Sequence, residues 1–145
     1  MQRFTQIDVA IIQNCERYRI PLYIVRSKSD SHIRNVMEDN EPDSDEGDGD
    51  GDDETFYQRA RQMFIHSTRG DFEQNLQKAN LTKREIFIVS CGVMRALVAK
   101  RCNSQVSNTI IDEAKLLEAV LKETHARLRS DYRTVVEQNM TQAGS

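Results

Sequence analysis

The sequence predicts a helix-rich α/β fold organised around a parallel sheet. Two short runs, Leu22–Val25 and Ile86–Val89, are apolar on both faces and rich in β-forming residues, as buried parallel strands are. Segments with apolar residues three or four apart surround both runs, and that spacing marks amphipathic helices. Helix–strand–helix–helix–strand–helix is the order of an α/β protein.

The first helix is expected from about Thr5 to Tyr18. Phe4, Ile7, Ile11, Cys15 and Tyr18 share one face, which is the expected inner face. Thr5-Gln-Ile-Asp8 spells a capping box, with Phe4 placed to staple onto Val9 and Pro21 barring continuation. After the first strand a short helix is expected over 30–37. A longer one follows from about Thr55 to Ala79, with Phe56, Ala60, Met63, Phe64, Phe72, Leu76 and Ala79 apolar; Gly70 inside it costs about 1 kcal/mol against Ala. Residues 92–108 carry no decisive pattern. Thr109-Ile-Ile-Asp112 reads as a second capping box, opening a last helix with Ile111, Ala114, Leu117, Val120, Leu121 and Leu128 inward. These stripes read as core packing. The fold is expected over 1–138, with a flexible tail at 139–145.

Charge divides the chain unevenly. The net charge of -3 conceals an acidic run, Glu38 to Glu54, which holds eleven of the 23 acidic residues and no basic one. The remainder carries 20 basic against 12 acidic side chains, a balance of +8. With almost nothing apolar to bury, and Pro42, Gly47, Gly49 and Gly51 interrupting it, the run is expected to be a disordered insert over about 39–54. A calcium loop beginning at Asp48 fails, because Asp53 stands where the turn needs Gly and Arg59 where the twelfth position needs Glu. The basic excess of the remainder is scattered over several elements with few aromatics between, so a nucleic-acid partner is not expected.

Other classes are excluded on similar grounds. At 145 residues and 38% hydrophobic content the chain suits one globular domain, and its apolar runs fall far short of the ~20 residues of a membrane span. Cys15, Cys91 and Cys102 are odd in number and form no Cys-x-x-Cys, which favours reduced thiols in a cytoplasmic protein. With the scattered His32, His66 and His125 they make no zinc constellation, so no metal site is expected.

Ligands of open α/β sheets bind beyond the carboxyl ends of the strands. There the chain carries Arg26-Ser27-Lys28-Ser29-Asp30 and Ser90-Cys91-Gly92. Ser27-Lys28-Ser29-Asp30 has the form of the guanine-specificity motif [Asn/Thr]-Lys-x-Asp. A carboxylate accepts two hydrogen bonds from the imino and amino groups of guanine, a pair that adenine does not offer. The Lys28 stem can lie across a purine face, Ser27 can tie the loop, and the amides of Ser90 and Cys91 can meet the guanine carbonyl. The plainer reading of the same residues is a serine-rich turn in which Asp30 caps the next helix.

The blocks Arg3-Phe-Thr-Gln-Ile-Asp8, Val25-Arg26-Ser-Lys-Ser-Asp30 and Ile86-Phe-Ile-Val-Ser90 resemble the immunity-related (interferon-inducible) GTPases, in particular their fungal-type relatives. The resemblance spans roughly residues 3–121. It implies the C-terminal half of a guanine-nucleotide-binding domain of P-loop NTPase type, with base recognition by Ser27, Lys28, Asp30, Ser90 and Cys91. Two departures are Ser27 in place of Asn or Thr, and Cys91 where the family often has Asn. The sequence contains no Gly-x-x-x-x-Gly-Lys-[Ser/Thr] and no Asp-x-x-Gly switch after a strand. The implied ligand is therefore GTP or GDP held by its base alone. Mg²⁺ and hydrolysis are expected only with an N-terminal half supplied, as for a truncated product or partial gene model, and no catalytic residue is assigned. The resemblance further implies self-association through such a domain and peripheral work at intracellular membranes. A different class stays open: a non-enzymatic α/β interaction module whose helical faces and acidic insert bind basic partners.

Overall fold

A computed structural model describes residues 5–40, 53–101 and 104–143. Along the chain come α1 (Gln6–Arg17), β1 (Ile24–Arg26), α2 (Ser29–Asp39), α3 (Asp53–Lys78), β2 (Ile86–Ile88), α4 (Cys91–Val98), α5 (Ser104–Thr109) and α6 (Glu113–Ala143). β1 and β2 pair in parallel, with Ile24 opposite Ile86 and Arg26 opposite Ile88. The fold is helix-rich α/β, and the sheet among the described residues has two strands.

The capping box at Thr5 forms: the Asp8 N–H reaches the Thr5 hydroxyl at 3.3 Å and the Asp8 carboxylate accepts the Thr5 N–H at 2.8 Å. Phe4, the expected staple, lies outside the described residues. α1 ends before Pro21 acts, because Arg19 turns left-handed (φ 53°) and Ile20 N–H returns to the Cys15 carbonyl at 2.8 Å. α3 closes the same way through Asn80, and α4 through Lys100.

Helix α3 runs unbroken through Gly70, whose flank is open space. It packs Ala60 and Phe64 with Ile33 of α2 and Ile88 of β2 in one buried cluster. A second cluster joins Ile12 of α1 to Phe72 and Leu76 of α3, with Ile24 and Ile86 against it. These clusters cover one face of the sheet. On the other face Tyr23 and Phe87 lie with ring centroids 6.2 Å apart, and the Tyr23 hydroxyl donates to the Ala119 carbonyl of α6 at 3.1 Å.

Several expectations need correction. The inner face of α1 is turned: Ile12 is buried, while Ile7 and Tyr18 are 71% and 63% exposed. In α6, Leu121 and Leu128 are likewise exposed. The physical cause is shared, since a two-stranded sheet is too narrow to cover both stripes. Residues left unassigned over 92–108 supply α4 and α5. Asp39 still belongs to α2, while Asp53 and Glu54 open α3, so both margins of the acidic run are helical; residues 41–52, with the discarded calcium ligands Asp48 to Asp52, lie outside the described residues. The tail expected at 139–145 is helical through Ala143, because no helix-breaking residue precedes Gly144.

Candidate functional site

The carboxyl ends of the two strands lie side by side. Val89 N–H donates to the Arg26 carbonyl at 2.9 Å, and Ser29 N–H crosses back to the Val89 carbonyl at 3.2 Å. This second bond draws the β1–α2 loop onto the end of β2. The turn is made at Lys28, which adopts a left-handed conformation (φ 63°) and caps α2 without a side-chain bond. Ser29 is thereby buried, whereas Ser27, Lys28 and Asp30 face solvent. Across from them Ser90 is buried at the N-cap of α4, and Cys91, exposed, is its first residue.

A cleft of about 220 Å³ opens at this junction, lined by Asp30 and Ile33 of α2, Tyr57 of α3, Ser90, and Val106 and Thr109 at α5. Of the five residues expected from the sequence, Asp30 and Ser90 reach the cleft; Ser27, Lys28 and Cys91 do not line it. Burial pushes the Tyr57 phenol above the ordinary tyrosine range, so it stays protonated at neutral pH. His32 stacks on Phe64 beside the site, with centroids 5.5 Å apart and planes 16° from parallel. Burial, and then the charge of Arg26, hold its imidazole below the usual value.

The expected role of the Ser90 amide needs revision, because that donor is already taken. The Glu113 carboxylate accepts Ser90 N–H at 2.7 Å, and with its other oxygen Ile111 N–H at 2.7 Å. Asp112 does the same one step earlier: its Oδ2 accepts Ile88 N–H at 2.9 Å, and Arg69 Nη2 approaches both of its oxygens at 2.9 and 3.0 Å. Alternate N–H groups of a strand point to one side. Asp112 and Glu113 therefore close the outer edge of β2 as a neighbouring strand would. The capping box expected at Thr109 does not form: Thr109 ends α5, and its hydroxyl donates to the Val106 carbonyl at 2.8 Å. With Ser90 engaged, the amides of Cys91, Gly92 and Val93, which open α4 and lack partners within the helix, are the donors left for a ligand, and of these Gly92 and Val93 line the cleft.

The two sheet edges differ. β1 runs along a larger groove of about 710 Å³, walled by α1 and α3 and lined by residues 22–26 with Ile11, Phe64, Asp71 and Phe72. This groove runs the length of β1 and reaches Arg26 at its carboxyl end. Sequence reasoning missed Tyr57, Val106, Thr109 and Glu113. Tyr57 stands next to the apolar stripe read from Phe56 and outside it, and Glu113 looks like any acidic residue in a first helical turn.

Among the described residues no group of three His, Cys, Asp or Glu side chains is placed to hold a metal ion. No helix of these residues is long and apolar enough to cross a membrane. The chain matches no known protein family, no curated protein and no solved structure.

Proposed function

We propose that this chain recognises the base of a guanine nucleotide at the carboxyl ends of β1 and β2, as the base-binding half of a P-loop-type GTPase domain would. The observation that carries the reading is the single cleft shared by Asp30 and Ser90 where two parallel strands end. Its volume of about 220 Å³ lies below the ~300–1,000 Å³ of sites that enclose drug-sized ligands, and suits one ring system better than a whole nucleotide. Asp30 accepts from the imino and amino groups of the base. The amides that open α4 donate to the base carbonyl, with Gly92 and Val93 at the cleft and Cys91 beside it, and Ser27 and Lys28 shape the loop. The narrow sheet, two strands among the described residues, and the exposed stripes of α1 and α6 support the partial-domain aspect, since a wider sheet would cover them.

The chain holds GTP or GDP by the base alone. Its sequence offers no phosphate loop to place Mg²⁺, so hydrolysis needs residues from elsewhere. A cytoplasmic setting, self-association and peripheral membrane contact belong to the same proposal. The second reading, an interaction module, is favoured by the groove along β1.

Calorimetric titration with GDP and Mg²⁺ separates the two. Two charge-assisted hydrogen bonds contribute at most about 1.5–3 kcal/mol each, against an association cost of ~4 kcal/mol or more. The expected affinity is no tighter than about 1 mM, lost in Asp30→Ala, with no GTP turnover. Binding that survives Asp30→Ala refutes the guanine site, and no binding at several millimolar favours the interaction module.

A further inference from the structure

We infer that Tyr57, supplied by α3, is the aromatic wall against which the base packs; this rests on the guanine reading and adds a binding residue to that site. A purine needs a flat surface as well as an edge partner. Lys28, whose stem is suited to that task by its chemistry, stands exposed outside the cleft. Tyr57 is the aromatic residue that lines it, together with Asp30 and Ser90. Its ring is half-buried and packs against the cluster of Ile33, Ala60, Phe64 and Ile88, so it is held in place before a ligand arrives. Its hydroxyl has no hydrogen-bond partner among the described residues, which leaves the polar tip for a base or a water. Val106 and Thr109 of α5 also line the cleft. The cleft thus offers an aromatic ring for one face of a base, aliphatic groups beside it, and Asp30 for its edge.

Stacking is indifferent to which purine is bound, because every base has a π-face, whereas the Asp30 contact discriminates. The two roles therefore separate in one experiment. The full chain is titrated by heteronuclear NMR with guanosine 5′-monophosphate and with adenosine 5′-monophosphate, for wild type, Tyr57→Leu, Tyr57→Phe and Asp30→Asn. Tyr57→Leu is expected to weaken both nucleotides about fivefold or more while keeping the preference for guanine. Tyr57→Phe, which retains the ring, should stay within about twofold of wild type by the same reasoning. Asp30→Asn should erase the preference. Guanine binding that depends on Asp30 but is unmoved by Tyr57→Leu overturns the role of Tyr57 and leaves the site intact. Absence of any guanine preference in the wild type overturns the underlying reading, and the role of Tyr57 with it. Should Tyr57→Leu fail to fold, the base protons of the bound wild-type ligand decide. An upfield ring-current shift of H8 supports stacking, and an unshifted H8 refutes it.

Discussion

Replacing Glu113 by Ala tests the closure of the β2 edge. Glu113 is fully buried, and its two oxygens each accept a backbone N–H at 2.7 Å, from Ser90 and from Ile111. Hydrogen bonds to a charged group contribute about 1.5–3 kcal/mol each, and a buried donor left unpaired costs about 1–3 kcal/mol. Ser90 is itself buried, so water does not readily replace the lost acceptor. The expected loss is about 3–5 kcal/mol, a large part of the ~5–15 kcal/mol typical of a domain. Glu113→Gln keeps one acceptor but turns an NH₂ donor toward an N–H donor, and should lose about 2 kcal/mol. Urea unfolding followed by far-UV circular dichroism reads these values. With a slope near 2 kcal/mol/M, the midpoint of Glu113→Ala should fall by about 2 M with the slope unchanged. Amide exchange should accelerate at Ser90 and Ile111 before the rest of the sheet. A midpoint within about 0.5 M of wild type would show that the edge is held by something other than this carboxylate.

Two further outcomes follow from single positions. Gly70 lies inside α3, and a methyl group added there meets nothing within 4 Å, so Gly70→Ala should stabilise by about 0.5–1 kcal/mol. That raises the melting temperature by about 2–4 °C, and a lowered value contradicts the open flank. His32 has a lowered pKa through burial first and the Arg26 charge second, so below its ordinary value of 6.5 the unfolded chain binds the proton more readily than the folded one. Its contribution is full above pH 6.5 and lost as pH falls from there toward the depressed folded value. His32→Gln should flatten the fall in melting temperature between about pH 7 and 5, and identical slopes for the two proteins would refute this.

Much of the backbone course is legible in the sequence, because short-range chemistry decides it. Apolar runs with no alternation mark both strands within two residues of their bounds, and Thr5 with Asp8 builds a cap from side chains three positions apart. The position of Ser27-Lys28-Ser29-Asp30 beyond the first strand follows from the same local signals. The tertiary structure decided which apolar stripes are covered. Period alone names a face of α1, but packing against Phe72 and Leu76 of α3 determines that Ile12 is buried, while Ile7 is exposed. It also decided what the acidic pair at the start of α6 does. A first-turn carboxylate satisfies whichever N–H groups stand near it, and the packing of α6 brings those of Ile88 and Ser90, 24 and 23 residues away in sequence. Tyr57 joins Asp30 in one cleft for a related reason. Their meeting depends on the angle at which α3 crosses α2, and nothing within either helix encodes that angle by itself.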